Sequence, residues 1–289
     1  MNWLVFALGA AFLSAVAMVL RKKVLEVEKA VDFSTALALV NVFVSLPLFF
    51  WLDIQISIFL WFMIFLVGLT AAAGFLLMSK ALKNMDISIV SPMRNIEPAF
   101  IAFFAFLFIG EVLTLIHIAG ISLLIVGSYI LELDVKKHDL LAPFGEMVGS
   151  KYVHLLMGSL VVYSISAVLG KYVLEFTSPV TLLFLSQFFV ALVFLVYIKL
   201  FHSGFTDIKK GFSQAGWLVG VIAVLTVSYR LLQYNGMSLE YVSLVIPIKR
   251  LDTLFSTVVG GELFHENRLL HKVLACIIMI LGASLVVLG

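Results

Sequence analysis

Charged residues, cysteine and recognisable catalytic motifs are all scarce in this chain. Only 12% of the 289 residues are charged and 63% are hydrophobic, which leaves too few polar groups to cover a soluble domain. The single cysteine, Cys276, excludes a disulfide framework and a cysteine-based zinc site. No Walker motif, GxSxG motif or glycine-rich nucleotide loop is present, and Leu269 stands where an HExxH motif would need its second histidine. The sequence therefore indicates an integral membrane protein.

The sequence predicts an all-α membrane protein with ten transmembrane helices in two inverted five-helix repeats. Apolar runs of about 18–22 residues are long enough for a helix to cross a bilayer. We place ten such spans near residues 3–20, 34–52, 58–79, 88–108, 113–131, 153–173, 179–198, 216–236, 242–261 and 269–288. The basic cluster Arg21-Lys22-Lys23 follows the first run, so that run is interpreted as a span and not as a signal peptide.

Two stretches of similar sequence are the main evidence for a repeat. Ser88–Ile101 reads SIVSPMRNIEPAFI and Ser243–Ser256 reads SLVIPIKRLDTLFS, each with a proline, then cations, then an acid. An offset of 155 residues aligns Pro92 with Pro247 and continues to align residues further along the chain. We predict a first repeat at 1–133, a linker at 134–151 and a second repeat at 152–289.

The distribution of basic residues predicts the topology. Five spans per repeat is an odd number, so the second repeat must enter the membrane from the opposite side. Fourteen lysines and arginines lie in alternate loops on one side of the predicted membrane, and only Lys171 lies on the other. Basic loops stay cytoplasmic. Both termini are therefore predicted on the non-cytoplasmic side of a multi-pass protein of the cytoplasmic membrane.

Three prolines within the predicted spans are candidate hinges: Pro92, Pro98 and Pro247. A proline inside a helix removes one hydrogen bond and exposes the carbonyl four residues earlier. Interrupted helices at matching places in two halves are typical of a transporter's binding site. The alternative is that these prolines only kink the helices for packing, as is common in membrane proteins.

Charged residues inside the predicted spans form the candidate site. Arg94 with Glu97, and Lys249 with Asp252, are three residues apart and are predicted to pair on one helix face. Two further arginines leave a surplus of positive charge, which suits an anionic or zwitterionic ligand. The predicted substrate-binding residues are Arg94, Asn95, Glu97, Arg230, Gln233, Lys249, Arg250 and Asp252. The alternative is structural: ion pairs that offset their own burial cost and hydrogen bonds between helices.

Other polar and small residues are interpreted as structural. Asn41 and Gln187, which align between the halves, are predicted to tie helices together by hydrogen bonds. A GxxxG motif at 216–220 is predicted to allow close helix packing. Glu111 and Glu266 are predicted to cap the helices that follow them, spans 5 and 10.

The pattern resembles a known family. Ten spans in two halves, a proline-containing polar helix ending in a Gly-Glu motif in each half, and the stretch VxPIKRxDxLFS are similar to EamA-type members of the drug/metabolite transporter superfamily. The resemblance implies a small-solute carrier that works by alternating access around a cavity lined by spans 1, 3, 4, 6, 8 and 9. Lys249-Arg250 resembles the lysine–arginine pair with which plastid phosphate translocators hold phosphate. Many members are drawn with cytoplasmic termini, in contrast to the charge bias here.

These observations predict a secondary transporter, not an enzyme. We expect it to export a small polar metabolite such as an amino acid or another carboxylate. The expected partners are that substrate, the lipid bilayer, and a coupling proton or counter-substrate; no metal, cofactor or nucleic acid is expected. An exchanger of phosphorylated metabolites or nucleotide sugars is the alternative within transport. A membrane-embedded lipid-modifying enzyme is the alternative of another class.

Overall fold

Helices are the only regular structure in the residues that the computed structural model describes, which are 2–85, 90, 93–132, 150–201, 216–259 and 269–289. This confirms the all-α prediction. The helices are α1 (Asn2–Val27), α2 (Ala30–Ser45), α3 (Ile58–Asn84), α4 (Glu97–Ile109), α5 (Leu115–Glu132), α6 (Lys151–Leu174), α7 (Pro179–Phe201), α8 (Trp217–Leu239), α9 (Val242–Lys249), α10 (Asp252–Val259) and α11 (Leu269–Leu288). A short 3-10 helix, Leu46–Trp51, extends α2.

Six helical segments in the described residues are long and apolar enough to span a membrane: α1, α2 with its 3-10 extension, α3, α6, α7 and α8. Three shorter apolar helices lie in α4, α5 and α11. Large apolar side chains such as Phe103, Phe106 and Phe108 on α4 are exposed, as expected for a surface that faces lipid. These features support a multi-pass membrane protein. The count of ten spans and the inversion of the repeats stay predictions.

Local signals begin and end the helices of the first half. The Ser57 hydroxyl caps α3 by accepting a hydrogen bond from the Leu60 amide at 3.3 Å. Gly110 ends α4 with a φ of +69°, a left-handed conformation that glycine adopts without the steric cost of a Cβ atom.

Two helix breaks lie at corresponding places in the two halves. In the second half, α9 contains Pro247 and ends before a turn at 250–251, after which α10 begins. In the first half a turn at 95–96 precedes α4, and Pro98 stands in the first turn of α4, where its missing N–H removes no helical bond. The turns are 155 residues apart, the offset that the sequence predicts. Pro92 lies outside the described residues.

Packing between helices also connects the two halves. Helix α1 packs on α8 and α3 packs on α6, while α2 contacts α7 and α5 contacts α11 along much of their length. When each helix is replaced by its counterpart in the other half, the α1–α8 pair becomes the α3–α6 pair and the reverse. The α2–α7 and α5–α11 pairs each become themselves. The core of the protein is therefore built mainly between the halves and not within each one.

Helices α5 and α11 make a close contact at two glycines. A Cβ atom on Gly120 would lie 2.8 Å from the Gly282 carbonyl oxygen, and one on Gly282 would lie 2.7 Å from that of Gly120. The prediction of close packing at the 216–220 motif is wrong. Among the described residues, a Cβ atom on either Gly216 or Gly220 would have no neighbour within 4 Å, and Gly216 instead precedes α8 as its N-cap with a φ of +49°.

Candidate functional site

A polar cavity of about 560 Å³ lies between the helices. Its described lining comes from α1, α2, α3, α4, α6, α7, α8 and α9, from Met85 after α3, and from Arg94 and Arg250 at the two helix breaks. The volume is within the range of about 300–1,000 Å³ that is usual for small-molecule sites. The family resemblance implies spans 1, 3, 4, 6, 8 and 9, and the structure adds α2 and α7 to that set.

Positive charge exceeds negative charge around this cavity. The described lining residues include seven cations and two carboxylates: Arg21, Lys22, Lys83, Arg94, Arg230, Lys249 and Arg250, against Glu26 and Glu97. Charged groups at this depth in a membrane protein are costly and normally face a cavity or a partner. The excess of cations makes the cavity suitable for a ligand that carries negative charge.

The ion pairs differ from those that sequence spacing predicts. Glu97, at the start of α4, is paired with Arg250 in the α9–α10 turn, and both side chains are only 9% exposed. Asp252 accepts a hydrogen bond from the Ser14 hydroxyl at 2.9 Å and is buried. Glu97 is therefore paired with Arg250 across helices, and not with Arg94 as expected. Asp252 is close enough to attract the Lys249 charge, as its spacing predicts, but its hydrogen bond comes from Ser14 on α1. The spacing rule misleads for Glu97 because the helices end or turn at these residues.

Lys249 and Arg21 surround a buried tyrosine. The Lys249 Nζ atom lies 4.9 Å from the centre of the Tyr229 ring, a cation–π distance. One Arg21 Nη atom donates to the Thr226 hydroxyl at 2.6 Å and to the Tyr229 hydroxyl at 3.3 Å. Sequence reasoning missed Arg21 because it follows the first apolar run, whereas α1 continues to Val27 and carries Arg21 along the cavity.

Among the residues that the structure describes, Arg94 has a weak acceptor as its hydrogen-bond partner. Its guanidinium contacts the Met18 thioether, and a thioether sulfur accepts hydrogen bonds poorly. Arg94 is also close enough to Lys249 and Arg250 for mutual repulsion. A ligand anion at this position would therefore relieve an unfavourable concentration of like charge.

The predicted polar face of α8 does line the cavity. Arg230, Gln233 and Tyr234 all contribute to the wall, as their helical spacing predicts. Of the eight predicted binding residues, the structure places Arg94, Glu97, Arg230, Gln233, Lys249 and Arg250 at the cavity. Asn95 and Asp252 are buried beside the helix breaks and are not among the lining residues.

Asn41 and Gln187 line the cavity wall and are 6% and 1% exposed. Neither amide has a hydrogen bond to the part of the chain that the structure describes, and Asn41 Oδ1 and Gln187 Nε2 are buried without a partner. The prediction that these side chains tie helices together is not supported by any contact in this conformation.

Glu111 positions the helix that carries Lys249. Its carboxylate accepts hydrogen bonds from the backbone amides of Val242 at 2.8 Å and Ser243 at 3.1 Å, and from the Ser243 hydroxyl. Glu111 is therefore a helix cap, but of α9 in the other half and not of α5, which follows it. Glu266, the predicted counterpart, lies outside the described residues.

An all-helical, multi-pass fold around a polar cavity is the architecture of a membrane transporter. The model of the EamA-like transporter family matches residues 1–133 and 150–288. The chain therefore belongs to the EamA-like transporter family. No curated protein matches it. A solved structure described only as "Crystal structure of protein" matches with a TM-score of 0.72 and 14% identity over 99% of this chain and 96% of its own, which shows a shared fold.

Proposed function

We propose that the protein is a secondary transporter that exports a small anionic or zwitterionic metabolite, such as an amino acid or another carboxylate. The observation that carries this proposal is the excess of seven cations over two carboxylates among the described residues of the cavity wall. An arginine can hold a carboxylate through two parallel hydrogen bonds, and a lysine adds a compact charge. Binding such a ligand would compensate the charge that the fold leaves in the membrane.

The proposed anchors are Arg94 and Lys249, with Arg250 and Arg230 around them. Arg94 and Lys249 are held by a thioether and an aromatic ring, so a ligand carboxylate would be a stronger partner for both. Arg250 is already paired with Glu97, and its buried Nε atom has no hydrogen-bond partner among the described residues. Gln233 lies on the same cavity wall as Arg230 and would add a hydrogen bond.

Alternating access between two inverted repeats, at 1–133 and 152–289 with a linker at 134–151, is part of the proposal. The helix breaks near Pro98 and Pro247, with Pro92, would be the hinges. The cavity wall reaches Lys22 and Lys83 near the ends of α1 and α3.

At the opposite predicted side, the Lys171 amine donates to the carbonyls of Met237 at 2.8 Å and Glu240 at 3.0 Å, tying α6 to the end of α8. In the proposed carrier this contact helps to close the predicted outer end, since alternating access exposes a central site to one side at a time.

The proposed direction follows from the charge bias of the loops. The ends of α1 and α3 carry basic residues, which favours a cytoplasmic location. The accessible end of the cavity would then face the cytoplasm, as export requires, and both termini would lie outside. A proton or a counter-substrate would supply the driving force.

Exchange of phosphorylated metabolites is the second candidate, and the adjacent cations Lys249 and Arg250 favour it. A phosphate carries more negative charge than a carboxylate and would use more of the cation excess. The two candidate functions are distinguished by the ligand that binds most tightly: a carboxylate favours the first, and a phosphate favours the second.

Thermal unfolding of the purified protein with a panel of amino acids, organic acids, sugar phosphates and organic cations tests the proposal. A ligand at one hundred times its dissociation constant adds about 2.7 kcal/mol to the free energy of unfolding. We expect stabilisation by an anion or zwitterion that is lost in Lys249→Ala and kept in Lys199→Ala, a control lysine on the exposed end of α7. Stabilisation by organic cations alone, or no dependence on Lys249, would contradict the proposal.

A further inference from the structure

The two sides of the cavity differ in chemistry. All the described lining residues contributed by α2 and α7 are uncharged: Phe33, Leu37, Ala38, Asn41, Gln187 and Val190. The cations are on α1, α3, α8, α9 and the two helix breaks. Among the α2 and α7 residues, only Asn41 and Gln187 offer hydrogen bonds. The part of the lining that α2 and α7 contribute is therefore neutral, with two amides, as is the part from α6, whereas the cations come from other elements.

Within the described part of the chain, each of these amides has a buried atom, Asn41 Oδ1 or Gln187 Nε2, that lacks the partner such atoms normally have. Most buried side-chain polar atoms are hydrogen-bonded, and one left unsatisfied costs about 1–3 kcal/mol. Neither Asn41 nor Gln187 bonds to the described protein, although both are more than nine-tenths buried. Their location at the cavity wall means that a molecule in the cavity can supply the missing bonds.

We infer that Asn41 and Gln187 form a second substrate subsite, which binds an uncharged hydrogen-bonding group, a carboxamide or a hydroxyl, at the end of the substrate opposite its anionic head. This inference rests on the proposed function and specifies the substrate class further. An amide offers both a donor and an acceptor, so a pair of amides complements groups that also have both. Ala38 and Val190, each three residues from one of the amides, add apolar contact for the carbon chain between the two ends.

A second carboxylate would not suit this subsite. No cation on α2 or α7 lines the described wall, and a carboxylate moved from water against neutral amides keeps much of its desolvation cost. A simple alkyl group would leave both amides unsatisfied. The subsite therefore discriminates against both, and it favours a monoanionic or zwitterionic substrate with a neutral polar tail.

The test uses two sets of probes of similar size that differ only in the tail. 4-Methylvalerate, succinamate and succinate form one set, and free leucine, asparagine and aspartate form the other. Dissociation constants are measured by calorimetry for the full-length protein in detergent. In each set we expect the carboxamide to bind about tenfold more tightly than the alkyl member, the effect of one or two net hydrogen bonds.

Variants assign this preference to the two amides. In Asn41→Leu and Gln187→Met the carboxamide and alkyl probes are expected to bind within about twofold of each other, with binding of the alkyl probe not weakened. Ser164→Ala is the control, because its hydroxyl bonds to Leu160 within α6 and it does not line the cavity. The ligand-free variants should melt at or above the temperature of the wild type, since they lose no hydrogen bond to the described part of the chain and remove a buried unsatisfied polar atom. A tie between helices would instead make them less stable.

The outcomes separate this inference from the proposed function. Binding of the probes without preference for the carboxamide, or a preference that survives both substitutions, would overturn the subsite alone. Failure of the wild type to bind any anionic or zwitterionic probe would overturn the proposed function and the subsite with it. If head and tail bind at separate places, Lys249→Ala should weaken binding of all three probes of a set equally. The preference for the carboxamide probe should be retained.

Discussion

Arg250 and Glu97, which are 153 residues apart in the sequence, form a buried ion pair that joins the two halves of the protein. Each lies at a helix break, so the pair connects the two interrupted segments directly. A buried pair is weak evidence for net stability, but removing one partner leaves an uncompensated charge.

Glu97→Gln is therefore expected to lower the free energy of unfolding by about 3–5 kcal/mol. The double variant Glu97→Leu with Arg250→Met should recover most of that loss, because both charges leave the interior together. Unfolding in detergent, followed by circular dichroism, measures both effects. If the losses in the free energy of unfolding of the single variants simply add in the double variant, the two side chains are not coupled, which would contradict the ion pair.

Glu111 caps α9 from the other half of the chain, so its removal should affect the helix that carries Lys249. Glu111→Ala is expected to cost about 2 kcal/mol, the upper part of the range for helix caps, because the site is buried. Glu111→Gln keeps one acceptor and should cost less. Thermal unfolding measures both variants, and equal stability of Glu111→Ala and wild type would contradict the assigned cap.

The close contact between α5 and α11 predicts different effects at two glycines. Gly120→Ala places a methyl group 2.8 Å from the Gly282 carbonyl oxygen and should destabilise the protein by about 1–3 kcal/mol. Gly220→Ala meets open space within α8 and should be neutral or stabilise by about 0.5–1 kcal/mol. The melting temperatures of the two variants measure this difference. A larger fall in melting temperature for Gly220→Ala than for Gly120→Ala would contradict the packing described.

Glu28, between α1 and α2, predicts a pH dependence of stability. Burial and the neighbouring Asp32 raise the pKa of its carboxyl above the usual 4.5, and Lys83 opposes them only partly. The folded state therefore holds this proton more tightly than the unfolded state, so stability falls as pH rises from 4.5 through the raised pKa. Glu28→Gln should be more stable than wild type at pH 7 and similar at pH 4. A constant difference between the two pH values would contradict this assignment.

Sequence periodicity and duplicated motifs could predict the helices and the two breaks. Apolar runs locate spans because a bilayer sets their length, and the duplicated proline-and-charge stretches locate the turns at 95–96 and 250–251. The same stretches contain four of the six predicted binding residues that line the cavity, including Arg94 and Lys249.

Contacts between the halves could not be predicted in this way. Glu97 can pair with Arg94 by helical spacing, and only the packing of α4 against α9 shows that Arg250 is its partner. Arg21 was assigned to a loop because apolar runs underestimate the length of α1. Asn41 and Gln187 lie in α2 and α7, and their helical spacing alone does not show whether they face a neighbouring helix or the cavity.

Solute counterflow in liposomes that contain the purified protein tests the central claim most directly. Liposomes are loaded with the anion or zwitterion that stabilises the protein best, and uptake of the same labelled solute is followed. We predict accumulation above that of protein-free liposomes, reduced about tenfold or more in Lys249→Ala, the loss expected for a charge-assisted hydrogen bond. No counterflow of any anion or zwitterion, or full activity of Lys249→Ala, would contradict an anion carrier anchored at this site.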